Sequence, residues 1–346
     1  MRPALPAAVA ALAGLVGLWG PLAARGEAAA LAALGPLPLA VLAAALVLAL
    51  VGRVWSVALV VPLGLAASFL AVRAPLPGGG AWGYWALLWG GVGCAVLAAG
   101  RVSLVEPSPD DSRPTRLLRR ALPPAVVPFA LLLAWQGLVL GFQVPKGIFP
   151  SVVNVYQQLT STFGVLLNDS YVTFVQEVAF GFAIGLAAGF LTGVAVAYSR
   201  FLQAGFLPLA AAFGAVPIVG LAPVLGRAFG VDWQSKAAVV VIVTFFPVVL
   251  NTVQGLTRLE PAKLELLRSY AARPADIFFK LRLPNALPYL FNALKLAAVL
   301  AVVSVIVAEF LIPGPPRGLG QRISLSARQG AFDLVFAAIF VSSVIS

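Results

Sequence analysis

The chain has 346 residues, of which 61% are apolar, 10% are charged and none is histidine. Soluble globular domains carry about a quarter charged residues, so an ordinary globular enzyme is excluded and an all-α polytopic membrane protein is expected. The net charge of +11 is spread over segments between apolar runs, which fits the positive-inside rule and argues against nucleic acid as a partner.

Runs of about 20 apolar residues can cross the hydrocarbon core. Four fall in the first part of the chain, near 4–23, 29–51, 54–72 and 81–100, with turns at Gly35-Pro36 and from Pro75 to Gly80. Arg2 precedes the first run in the manner of a leader, but the run is long and more follow, so it reads as a span. No polar residue in these four runs stands where chemistry needs it, and residues 1–100 read as an accessory module. Residues 101–120 hold Pro107, Pro109, Pro114, Asp110, Asp111 and five arginines, a composition expected of a linker that cannot bury itself. The remainder, 121–346, reads as the main, core module.

In that core a fifth span runs over 121–142, and 148–167 reads as a short external amphipathic segment opening at Pro150-Ser151. The next span, 171–198, carries Gly181, Gly185, Gly189 and Gly193, four residues apart and so on one helix face. That arrangement lets a neighbouring helix approach closely, and packing is the preferred reading over a ligand site. The run 206–226 contains Gly214, Pro217, Gly220 and Pro223, and the run 236–256 contains Pro247. Broken backbone at membrane depth is tolerated only where protein or a water-filled cavity surrounds it. Pro217, Pro223 and Pro247 are therefore candidates for a solute pathway. Glu177 and Glu309, ionisable groups in or at the ends of spans, join them, with a structural hydrogen-bonding role preferred. A ninth run covers 289–312, where Lys295 is expected to snorkel, and a tenth starts near Phe332.

With the start of the chain in the cytoplasm, fourteen basic residues fall on that side and eight outside. This orientation is expected, and it makes 257–288 a cytoplasmic loop. The loop reads as a helix from Pro261 to Ala272, a break at Arg273-Pro274, and a second short helix to Arg282 ending near Pro284. A polar knob of this length in so apolar a chain is expected to meet a water-soluble partner. The single cysteine, Cys94, excludes an internal disulfide or cysteine metal cluster. With no clustered histidine, Asp, Glu or Cys in the spans, neither a metal site nor a catalytic site is expected.

The knob reads Glu265-Leu266-Leu267, then Ala271, then Leu281 and Leu283-Pro284. In spacing it resembles the signature of permease subunits of ATP-binding-cassette importers: Glu-Ala-Ala, three residues, Gly, nine residues, Ile, one residue, Leu-Pro. Both alanines, the Gly and the Ile are replaced here. The resemblance extends over roughly Ala121 to Ser346 through Phe149-Pro150-Ser151, Thr173, Gln176-Glu177-Val178, Ala222-Pro223, Phe245-Phe246-Pro247, Ala308-Glu309 and Gly318-Leu319-Gly320. Within the family the chain is similar to the nitrate, sulfonate and taurine group, and Arg268-Ser269-Tyr270 with 281–291 resembles its thiamine-pyrimidine and riboflavin branch.

This resemblance implies a type I importer permease bundle preceded by four extra helices, in the cytoplasmic (inner) membrane. The implied partners are a cytoplasmic ATPase dimer, an external solute-binding protein, a second permease subunit and membrane lipid. ATP would be used by the ATPase, since the chain itself has no phosphate-binding Gly-x-x-x-x-Gly-Lys motif. Glu265 would offer a carboxylate to the ATPase, Ala271 would permit close packing, and Pro284 would end the second short helix. The solute would be a small compound such as a sulfonate, nitrate or a vitamin precursor. The resemblance also implies a full final helix, for which the run from Phe332 to Ser346 is short, so either a truncated sequence or a tilted or partial helix is expected. An ion-gradient-driven secondary transporter, which also uses broken helices, is the alternative; it calls for inverted repeats and midplane acids.

Overall fold

The computed structural model describes residues 5–17, 37–51, 54–73, 76, 78–104, 113–214, 216–315 and 317–346. Arg2, Arg25, Arg53, the Gly35-Pro36 turn, Pro75 and the middle of the linker, with Pro107, Pro109, Asp110 and Asp111, lie outside them. Among the described residues every regular element is helical, and the chain divides into two compact units, Met1–Gln157 and Gln158–Ser346.

The first unit holds α1 (Leu5–Gly17), α2 (Leu37–Val51), α3 (Val54–Val72), α4 (Trp82–Leu104) and α5 (Arg113–Gly141). One part of its core is built almost wholly of alanine and valine, so the helices approach backbone to backbone there, and another centres on Leu42, Tyr84, Leu87 and Leu88. A Cβ on Gly90 would stand 2.5 Å from Gly14 N, and one on Gly91 2.5 Å from Gly64 O. The few polar side chains bond between helices. Ser68 Oγ donates to Leu88 O at 2.9 Å, and Tyr84 Oη donates to Gly137 O at 2.7 Å.

One expectation is corrected here. Both ends of the 101–120 linker are helical: α4 runs to Leu104 and α5 begins at Arg113, because Pro114 lies in the first turn, where its missing N–H costs nothing. The compact division falls after α5. Small residues on α5 explain this, since Gly137 receives the Leu88 side chain and Gly141 those of Trp85 and Tyr84 from α4.

The boundary between the units falls inside α6 (Val152–Ser161), the amphipathic segment expected near 148–167, which leads into α7 (Phe163–Ser170). The latter passes without a break through a π-helical stretch, Tyr171–Ala179, into α8 (Phe180–Tyr198). This span thus begins at Phe163, eight residues before the expected start. After it come α9 (Arg200–Gly214), α10 (Ile218–Phe229), α11 (Trp233–Thr257), α12 (Pro261–Ser269), α13 (Pro274–Ile277), a π-helical turn over Phe278–Arg282, α14 (Leu283–Leu311), α15 (Leu319–Arg328) and α16 (Phe332–Ile345). Five helices among the described residues are long and apolar enough to cross a membrane, or six if the bent pair α9–α10 counts as one.

Helices α8 and α11 run parallel: Phe180 and Trp233, near their starts, have ring centroids 5.3 Å apart, and Gly193 and Thr252, near their ends, touch. Helix α14 runs antiparallel to both, with Asn285 against Gly255 and Val305 packed with Val240. Parallel neighbours in sequence need the chain to return between Tyr198 and Trp233. The α9–α10 pair makes that return. It is bent by 98°, yet Leu207 packs beside Val196 and Val253 at one end, and Gly226 meets Ile312 at the other. A re-entrant loop would bring the chain back to the end it left, so the pair is one broken crossing. Proline causes the break: Pro217 is extended, with φ −69° and ψ 123°, immediately before α10.

Candidate functional site

Gly181, Gly185, Gly189 and Gly193 are all buried against α11. A Cβ on Gly181 would lie 2.5 Å from Ala237 O, on Gly189 2.8 Å from Phe245 O and on Gly193 2.6 Å from Thr252 Cβ, while one on Gly185 would overlap Thr244 Oγ1. The seam fixes α8 on α11 and so sets where the polar groups at its two ends meet.

At one end, Glu309 near the close of α14 is fully buried. Its Oε1 accepts from Thr173 Oγ1 at 2.8 Å, and its Oε2 accepts from Gly320 N. Thr173 in turn accepts from Leu319 N at 2.9 Å, and Asp169 Oδ1 accepts from Gly318 N at 3.2 Å. The opening N–H groups of α15, which have no partner within the helix, are thus satisfied by side chains from the α7–α8 span and α14. Carboxylates at a helix N-terminus are also favoured by its dipole. Asp169 is paired with Arg322 at 2.7 Å. Gly318 adopts φ +109° and a Cβ there would strike Glu309, so glycine is required on both counts.

Glu177, in the π-helical stretch, is 1% exposed and lies against Glu309, with Lys236 of α11 also buried nearby. Lys236 Nζ donates to Val231 O at 2.5 Å. Its side chain is almost wholly enclosed, at 2% exposed. Glu177, Lys236, Asp232, Asn168, Gln176 and Arg317 help line a polar cavity of about 320 Å³. The structure joins Glu177 and Glu309 in one network but sets both apart from the prolines. Pro247 instead lines an apolar cavity of about 260 Å³ with Phe213, Phe246, Leu221 and Leu300; Phe213 and Phe246 stack at 5.1 Å. Pro223 is exposed on α10, and Pro217 is exposed at the break.

At the other end stands the knob. No residue of α12 is buried, and Leu266, Tyr270 and Phe279 are 56%, 77% and 65% exposed. Glu265 is exposed and has no ion pair among the described residues, whereas Lys263 pairs with Glu260 and Lys280 with Asp276. Ala271 has φ +51°. Ala272 N donates to Leu267 O at 3.0 Å and Ala271 N to Arg268 O at 2.9 Å, the bonding pattern of a helix closed by a left-handed residue. Ala271 thus closes α12, with its side chain exposed.

The role expected of Pro284 is corrected. It does not end the second short helix, because α13, the π turn and α14 are continuous from Pro274 to Leu311. It sits in the first turn of α14, and the wider turn before it accommodates its missing donor. Leu281 and Leu283 are half-buried there.

Comparison with known proteins decides what such a bundle is. Residues 181–346 match the family described as the binding-protein-dependent transport system inner membrane component. A protein of Haemophilus influenzae described as a probable ABC transporter permease is 31% identical over 66% of this chain and 91% of its own length. The chain belongs to the permease subunits of ATP-binding-cassette importers. The formylaminopyrimidine transport permease of Halalkalibacterium halodurans is 27% identical over 65% of this chain and 89% of its own length. The riboflavin transport permease of Chloroflexus aurantiacus is 30% identical over 62% and 80%.

The permease is accordingly a multi-pass membrane transport subunit rather than an enzyme, and in its family a partner ATPase uses the ATP. The secondary-transporter alternative is set aside. Sequence reasoning missed Asp169 and Arg322 as partners of the α15 terminus. The available signal was Gly318-Leu319-Gly320 opening a helix with no capping side chain of its own, which calls for acceptors from elsewhere.

Proposed function

We propose that this permease takes up a small heteroaromatic solute with an external binding protein, and that the exposed helix α12, residues 261–269, docks on a cytoplasmic ATPase dimer. The observation that carries the docking is the knob itself: a nine-residue helix with no buried residue, presenting Leu266 and Tyr270 one turn apart with Glu265 beside them. Exposed apolar side chains next to a charged group are the composition of a protein interface core and rim. Glu265 supplies a carboxylate for a basic group or backbone amide of the ATPase, and ATPase closure moves the knob as a rigid body. This reading places the knob end in the cytoplasm and the Glu309 end outside. The first unit is then an accessory module to a transport core that makes its pathway with a second permease subunit.

The solute class is supported by the cavity at the broken crossing. Its walls are Phe213, Phe246, Pro247 and aliphatic side chains, with no charged group among them, which suits a flat uncharged ring better than a small anion. Two relatives are named for the transport of such compounds. Glu265→Arg is expected to leave the protein in the membrane while abolishing recovery of the ATPase in a pull-down; recovery equal to that of the unaltered protein overturns the docking role. In whole-cell uptake, labelled riboflavin or formylaminopyrimidine should accumulate and nitrate should not, and the reverse result overturns the solute class.

A further inference from the structure

Helix α12 is joined to the bundle by the two chain segments at its base. One leaves α11 at Arg258; the other is the π-helical turn Phe278–Arg282 that enters α14. Three hydrogen bonds tie these segments to each other. Asn285 Nδ2 donates to Gly255 O at 2.8 Å and to Arg258 O at 3.0 Å, and Arg282 Nη1 donates to Leu256 O at 3.2 Å. Those carbonyls belong to the last turn of α11 and its cap, where acceptors lack partners within the helix and a cation is favoured. The Arg282 guanidinium also stands 5.2 Å from the centre of the Tyr198 ring at the end of α8, and Phe278 of the same turn lies 6.4 Å from that ring. The ends of α8 and α11 and the π turn entering α14 therefore meet at Arg282.

We propose that Arg282, with Asn285 and Tyr198, is the joint that passes displacement of the knob to α8 and α11. The inference rests on the reading of the knob as the ATPase contact. Without the three bonds the two base segments can part and the knob can swing while the spans stay in place; with them, any push on α12 moves the ends of α8, α11 and α14 together. A π-helical turn at this point fits such a role, since i→i+5 insertions are found at functional sites. The close approach of Gly255 to Ala286, where a Cβ would lie 2.7 Å from the Ala286 Cα, keeps α11 and α14 in register beneath the joint. Arg282, Asn285 and Tyr198 are positioning residues: they act through the helices they hold.

The test uses the assembled transporter, with its ATPase and binding protein, in proteoliposomes. Cys94 is buried, so Ile242→Cys at the wall of the broken-crossing cavity gives one reactive thiol. Its modification by a membrane-impermeant maleimide is timed with and without vanadate trapping of the ATPase. The otherwise unaltered protein should change rate on trapping by about fivefold or more. Arg282→Ala should retain the ATPase and its hydrolysis while losing most of that change. Asn285→Asp, which removes both donors, and Tyr198→Ala should do the same, and Tyr198→Phe, which keeps the ring, should not. Arg282→Ala combined with Tyr198→Ala should be no worse than either alone. A full rate change in Arg282→Ala with the ATPase bound overturns the joint. Loss of the ATPase from the complex in Arg282→Ala, with Tyr198→Phe equally affected, also overturns it in favour of a folding role. Failure of the unaltered protein to hold the ATPase overturns instead the docking on which the inference rests.

Discussion

At the Glu309 end of the second unit, charged and polar groups are drawn inward: Asp169, Thr173, Glu177, Lys236 and Glu309 are all buried, and the opening of α15 bonds to three of them. At the Arg282 end the pattern is inverted. The charges of α12 face outward with Leu266 and Tyr270, and the hydrogen bonds that tie the knob to α11 lie at its base. The same helices α8, α11 and α14 join both ends. A buried, mutually bonded network has one low-energy arrangement, whereas an exposed helix on a narrow base keeps its interactions for a partner. The contrast separates the part of the bundle that is held from the part that is moved.

The seam between the two ends should be the most sensitive place. Gly185→Leu puts a side chain onto Thr244 Oγ1 and within 2.8 Å of Val241 O, and overpacking of this kind costs about 1–3 kcal/mol or more. Loss of monodisperse protein on size exclusion is expected, while Gly205→Leu, with nothing within 4 Å of its Cβ, should elute normally. Equal behaviour of the two variants would remove the seam from the account.

Next in size is Glu309→Ala, which strands Gly320 N–H and the Thr173 hydroxyl. Each buried unsatisfied group costs about 1–3 kcal/mol, so Tm in detergent should fall by roughly 5–10 °C. Glu309→Gln, which keeps an acceptor, should fall by less. At the opposite end, Glu265→Arg should leave Tm unchanged because the side chain is exposed, while ATPase recovery is lost. A Tm drop in Glu265→Arg as large as that in Glu309→Ala would erase the distinction between the two ends.

The smallest effect has the opposite sign. A left-handed alanine is strained by about 1–2 kcal/mol, and glycine gives back about 0.5–1 kcal/mol through lost chain entropy. Ala271→Gly should therefore slow hydrogen exchange at the Ala272 amide slightly, and Ala271→Val should speed it.

Much of the bundle was legible in the sequence because a helix repeats locally. The four glycines of α8 fall on one face by spacing alone, and the break at Pro217 follows from ring chemistry. The 98° bend did not follow, since its angle is set by what α10 packs on. Nor did the placement of α5: Gly137 and Gly141 look like any small residues in an apolar run until Tyr84 and Trp85 are seen to fill the space above them. At the Glu309 end, Thr173 and Glu309 are 136 residues apart, and no local pattern links them. The knob was legible in spacing but not in mechanism. Ala271 stands where the family signature has glycine, and its positive φ gives the physical reason for a glycine there.

The most direct test of the moved end is cross-linking from a single thiol. With Cys94 buried, Leu266→Cys on the knob and Phe229→Cys at the far end of α10, both exposed in the parent chain, can be compared in the assembled transporter. The account predicts that the ATPase is captured from position 266 and not from 229. Capture from 229, or from neither position in a complex that hydrolyses ATP, would contradict it.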